Sequence, residues 1–135
     1  MGARATETVF VTDPVGFVGS ELVKFLVARG HQVFGLTRSP EAAGRVRRAG
    51  ATAIMGDLLT PGRWQDEAAA DWVFHLTPQS VHRPRLRWRA APIAPALALM
   101  DRNLLDAVAH GATQRIVYVA DVSCYGAAGP RPRSS

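Results

Sequence analysis

The residues best suited to chemistry lie in one short stretch, Thr12-Asp13-Pro14-Val15-Gly16-Phe17-Val18-Gly19. Glycines placed where an extended run gives way to a helical one let a phosphate approach backbone N–H groups at the helix start, where the partial charge is positive. Gly16 and Gly19 match the last two glycines of a G-x-x-G-x-x-G spacing, and Asp13 stands at the first. A carboxylate there adds like charge: at ~5 Å and an effective dielectric of about 20, it repels each phosphate charge by ~3 kcal/mol. Weakened phosphate binding is the expectation, relieved in part if the side chain turns outward. A second anion candidate is Arg38, in Thr37-Arg38-Ser39, whose planar guanidinium suits phosphate oxygens.

Other chemistry is sparse. His31, His75, His82 and His110 are dispersed, and His75, inside an apolar run, reads as a packed core histidine. Cys124 is the single cysteine, so no disulfide framework or cysteine-based zinc site can form within one chain, and a reducing cytoplasm fits best. Sixteen basic residues against eleven acidic give a formal charge of +5, and Lys24 is the only lysine. Arg83, Arg85, Arg87 and Arg89, interleaved with Pro84, Leu86 and Trp88, could hold phosphates and stack a base. A solvated loop explains them more simply, so nucleic acid is not the favoured partner.

The elements that must position these groups follow from the apolar pattern. At 135 residues, 47% hydrophobic and 20% charged, the chain has room for one domain. No run reaches the roughly 18 apolar residues of a transmembrane helix, and the start lacks the apolar core of a secretory signal. Thr8 to Thr12 has the β-branched and aromatic character of a strand buried on both faces. Phe17 to Arg29 repeats apolar residues (Val18, Leu22, Phe25, Leu26) at helical spacing, with Gly30 as its stop. Strands over 32–37, 52–56, 71–76 and 115–120 alternate with helices over 40–49, 61–69 and 92–110, and residues 77–91 form a long loop. Ser39 and Pro40 suit the cap and first turn of the second helix. Strands separated by helices imply right-handed βαβ crossovers and one parallel sheet. The expected class is α/β, doubly wound, with about five strands.

Several of these segments together resemble a known family. Thr12 to Gly19, the helix from Ser20 to Leu26, Gly30-His31, Gly56-Asp57-Leu58, Phe74-His75-Leu76, Leu104 to Val108, and Ile116 to Val119 followed by Tyr125-Gly126 look like the extended short-chain dehydrogenase/reductases. These are NAD(P)-dependent epimerases, dehydratases and reductases, and the likeness, which runs over residues 8 to 126, implies a Rossmann-like sheet with strand order 3-2-1-4-5. It implies that Thr12, Gly16, Phe17, Val18 and Gly19 line the pyrophosphate. By the same likeness Asp57 and Leu58 border the adenine, with Asp57 accepting from its amino group, and Leu76 and Thr77 pass under the ribose. At the end of the second strand such proteins carry an acid for the ribose of NAD or a basic residue for the extra phosphate of NADP. Arg38 without an acid favours NADP, in a site weakened by Asp13.

The resemblance also has gaps. Asp121 occupies the place of the family's catalytic serine, and an ionised Asp cannot donate a hydrogen bond. The family's Tyr-x-x-x-Lys proton relay has no counterpart, because neither Tyr118 nor Tyr125 is followed by a lysine. Leu97 stands where the family often has an asparagine, and Asn103 lies later. Residues 1–126 are expected to form the dinucleotide-binding domain and 127–135 a flexible tail. Such a chain reads as the first part of a larger fold, with its fifth strand an uncovered edge that a homodimer would cover. Two function classes follow: the NAD(P)-binding domain of an oxidoreductase or epimerase that is inactive as this chain alone, or a non-catalytic module for nucleotide sensing or protein contact.

Overall fold

The computed structural model describes residues 6–76 and 90–119, without the side chains of 90–94. Thr77, the arginine-rich 83–89, Asp121, Cys124, Tyr125 and the 127–135 tail lie outside the described residues. The order is β1 (Thr8–Val11), α1 (Phe17–Ala28), β2 (Gln32–Thr37), α2 (Pro40–Arg48), β3 (Thr52–Met55), α3 (Trp64–Ala68), β4 (Trp72–Leu76), α4 (Ala90–Ala109) and β5 (Arg115–Val119). The five strands form one parallel sheet in the order β3-β2-β1-β4-β5, as expected.

Strand alternation divides the interior into two layers. Val9, Val11, Val33 and Leu76 face one side and meet Val23 and Leu26 of α1 and Val46 of α2. Phe10, Leu36 and Val73 face the other, where they meet Trp64 and Ala68 of α3 and Met100, Leu104 and Val108 of α4. The Trp64 ring stacks on Phe10 at 6.3 Å, and its indole N–H donates to the carbonyl of Thr60 at 2.9 Å, so the large ring is buried with its one polar atom satisfied. At the amino ends of β1 and β4 a reciprocal pair sets the register. The Thr8 N–H donates to the Asp71 carboxylate at 3.0 Å, and the Asp71 N–H donates to the Thr8 hydroxyl at 2.9 Å.

Ser39 caps α2, accepting from the Ala42 N–H at 3.1 Å. Gly30 and Gly50, at φ of +85° and +91°, turn the chain back toward the sheet after α1 and α2 in a region that L side chains disfavour. The third helix is shorter than the expected 61–69, because Pro61, Gly62 and Arg63 are spent on the approach that carries Trp64 into the core. The buried stripe of α1 also differs from the expected one. Gly19, Val23 and Leu26 face inward, whereas Val18 and Phe25 are half exposed. The Arg29 guanidinium lies 4.4 Å above the Phe25 ring and shields one of its faces. Among the described residues β5 pairs with β4 alone, and Ile116, Tyr118 and Val119 keep substantial exposure.

Candidate functional site

At the carboxyl ends of β1, β2 and β3 a cleft of about 410 Å³ opens. This is the crevice where open α/β sheets hold ligands. Thr12, Asp13 and Val15 form its wall beyond β1. Thr37, Arg38 and Ser39 enter from the end of β2, Gly56, Asp57 and Leu58 from the end of β3, and Met100 from α4. Of the residues expected from sequence, Thr12, Arg38, Asp57 and Leu58 are thereby brought together.

Gly16 is the N-cap of α1, and Phe17, Val18 and Gly19 form its first turn beside Asp13. Among the described residues no side chain caps this helix and its first turn holds no acid, so its leading N–H groups have no side-chain acceptor. A Cβ at Gly19 would fall within the backbone carbonyl of Asp13 and press on Leu76, so the spacing that the sequence pattern marks is enforced by contact. At Gly16 a Cβ would overlap the carboxylate of Asp13. The Asp13 side chain therefore lies over the first turn rather than turned away from it, contrary to the outward rotation that would have reduced repulsion. Burial pushes its carboxyl above the usual range, and the Arg38 charge pulls it back.

Leu76 is 4% exposed and packs in the core on the α1 side, against the face of Gly19. The structure thus gives it a supporting place behind the loop. Asp57 closes its own turn: one carboxylate oxygen accepts from the Leu59 N–H at 2.9 Å, and its carbonyl accepts from Thr60 at 3.0 Å.

Behind the cleft lies a polar chain that the sequence did not reveal. Thr12 is buried, and its hydroxyl donates to the Leu76 carbonyl at 3.0 Å and accepts from the Leu76 N–H at 2.9 Å. Nδ1 of His75 is 3.3 Å from the same hydroxyl, and Nε2 is 2.7 Å from Oδ1 of Asp101. Tyr118 meets the imidazole edge-on, with ring centroids 5.0 Å apart. Asn103, set aside in the sequence because it falls late in its helix, is 4% exposed, and its amide donates to the Leu58 carbonyl at 2.7 Å. Its own backbone carbonyl accepts from Gln65 at 3.0 Å, so one residue of α4 secures both the cleft floor and α3. A second omission is Arg63. It lines a shallower cleft of about 350 Å³ that shares Arg38, Gly56 and Asp57 with the first. Only contact across the β2 and β3 ends could have shown either role.

Among the described residues no group of three or more His, Cys, Asp or Glu could hold a metal, and no helix is long and apolar enough to cross a membrane.

Known proteins are similar to this chain in sequence or in fold. A ketoreductase of Stigmatella aurantiaca that acts on a 4-hydroxy-2-methyl-3-oxo-4-farnesyl-3,4-dihydroquinoline-1-oxide is 34% identical over 112 residues, which is 82% of this chain and 32% of that protein. The UDP-glucose-4-epimerase of Stenotrophomonas maltophila, solved with bound NAD and formylated UDP-arabinopyranose, superposes with a TM-score of 0.69 at 22% identity, covering 89% of this chain and 38% of that one. Gre2 of Candida albicans, solved with NADPH, superposes at 0.61 with 20% identity, covering 82% of this chain and 36% of that one. The chain thus spans about a third of the length of these proteins. The sequence pattern of the NAD dependent epimerase/dehydratase family matches residues 9–135, and to that family the chain belongs.

Proposed function

We propose that these residues bind a nicotinamide dinucleotide as the cofactor portion of an epimerase- or reductase-type oxidoreductase, with NADP preferred over NAD. The observation that carries the reading is the cleft itself, lined by Thr12 and Asp13 after β1, Arg38 at the end of β2, and Asp57 and Leu58 at the end of β3, with the start of α1 adjoining it at Asp13. Gly19 lets the start of α1 close onto the Asp13 carbonyl, which brings the leading N–H groups of the helix to the loop where a pyrophosphate would lie. The adenine would lie toward Asp57 and Leu58, and the extra phosphate of NADP toward Arg38, with Arg63 at hand in the adjoining cleft. Solved neighbours of this fold carry NAD in one case and NADPH in another, which supports the cofactor class and leaves the choice between them to Arg38.

When bound, the cofactor supplies hydride transfer. This chain's residues would bind and orient it, while the family's tyrosine–lysine proton relay has no match around Tyr118 or Tyr125, and Lys24 is on α1. We therefore assign binding to these residues and place proton transfer outside them. Titration calorimetry with NADPH and NADH tests the reading. NADPH should bind more tightly, and Arg38→Ala should erase the difference, which a charge-assisted contact worth about 1.5–3 kcal/mol sets at roughly ten- to hundredfold. Equal affinities in the unaltered chain would reject the NADP preference, and absence of binding to both would reject the cofactor assignment.

A further inference from the structure

Asp13 is an odd occupant of a phosphate cradle, and its placement makes it more than a defect. Its carboxylate lies against Gly16 at the start of α1, inside the cleft rather than outside it. A pyrophosphate seated on that helix start would meet this side chain directly. Ionised, the carboxylate repels the phosphate oxygens. Protonated, it has an O–H to donate to one of them, which turns repulsion into a charge-assisted hydrogen bond.

We propose that Asp13 is a proton-operated selector of the cleft: a dinucleotide is taken up by the form in which the Asp13 carboxyl carries a proton and donates it to a pyrophosphate oxygen, and the ionised form excludes it. The proposal rests on the dinucleotide reading given above and deepens it. Proton balance is simple, since one proton enters from solvent as the ligand binds and leaves when it departs.

The surroundings bear on which form prevails. Burial favours the protonated carboxyl, and the Arg38 charge across the cleft favours the ionised one. Asp57 adds a carboxylate from the end of β3. Lys24 of α1, with Arg45 and Arg48 of α2, lines a separate groove behind Pro14 and Val15. From β4, His75 reaches the hydroxyl of neighbouring Thr12, with Asp101 of α4 behind it. A 2′-phosphate drawn to Arg38 would offset the positive charge that faces Asp13 and so favour the protonated form further. Proton uptake and phosphate binding therefore reinforce each other.

The test is calorimetric titration of the chain with NAD⁺ and with NADP⁺ between about pH 5 and about pH 8, each in two buffers of different ionisation enthalpy. NAD⁺ is the decisive probe, because the 2′-phosphate of NADP⁺ titrates near pH 6 by itself. The expected result is a Kd for NAD⁺ that rises about tenfold per pH unit in the upper part of that range, with one proton taken up on binding. Asp13→Asn, close in shape and without a proton to exchange, should bind with a flat pH profile and no uptake. Asp13→Gly should bind more tightly than the parent at the upper end of the range, where the parent's carboxylate is ionised, and lose that advantage toward the lower end. A flat profile without proton uptake in the unaltered chain overturns the selector, and that measurement depends on no variant folding. A steep profile retained in Asp13→Asn overturns it equally. If neither dinucleotide binds the parent or either variant at any pH, the dinucleotide reading itself fails and the selector with it.

Discussion

Nε2 of His75 stands 2.7 Å from Oδ1 of Asp101, joining the buried side of β4 to α4 directly behind the cleft. The imidazole is 5% exposed, and a carboxylate can only accept, so the hydrogen of this bond resides on Nε2. Removing the acceptor leaves a buried donor without a partner. Asp101→Ala should therefore cost about 1–3 kcal/mol in urea denaturation, and Asp101→Asn, which keeps a carbonyl oxygen, should cost less. Equal losses for the two would assign the effect to helix packing rather than to the imidazole.

Thr12 gives a second prediction. Its hydroxyl serves both backbone groups of Leu76, and Val has the same shape without the oxygen. Thr12→Val should lower stability by roughly 1–3 kcal/mol, since the buried N–H and carbonyl of Leu76 each lose a partner. Amide hydrogen exchange at Leu76 should accelerate with it. An unchanged exchange rate there would locate the loss elsewhere.

Gly19 gives a third. An added methyl would fall within the Asp13 carbonyl, and backbone cannot step aside as a long side chain can. Gly19→Ala should cost about 1–3 kcal/mol through overpacking and should shift the amide resonances of 12–19. A loss below about 0.5 kcal/mol would show that the loop adapts.

Asp13 makes stability depend on pH as well as binding. Burial raises its carboxyl above the ordinary range, against the pull of Arg38, so the folded chain holds this proton more tightly than the unfolded one. Its stabilising contribution is complete below the unfolded value of about 4 and is lost as pH rises through the raised folded value. The melting temperature of Asp13→Asn relative to the parent should therefore climb across that window. A difference that stays constant with pH would contradict the raised value.

The order and type of the elements were legible because each carries a local signal: β-branched runs for strands, Ser39 and Pro40 at the start of α2, and glycines after α1 and α2. The loop from Thr12 to Gly19 was legible for the same reason, since a phosphate-binding turn is contiguous in sequence. Less was legible where apolar residues exceed what the core can take. On α1 the sheet accepts Gly19, Val23 and Leu26, and Phe25 is left outside under Arg29. Leu105 on α4 is half exposed for the same reason, although its neighbour Leu104 is buried.

By itself, then, the sequence determined the alternation of strands and helices, the glycine loop and the presence of Arg38, because these depend on neighbours along the chain. Tertiary structure alone decided that Leu76 supports the loop from behind, that Asn103 holds Leu58, that Thr12, His75 and Asp101 form one polar chain, and that Arg63 lines the same shallow cleft as Arg38. Each joins residues that lie far apart in the chain and meet only where strands and helices from different parts of it are packed together. The fate of Asp13 belongs to the second group. Its position was plain in the sequence, but whether its carboxylate turned outward or lay over Gly16 was decided by how the loop folds onto the start of α1.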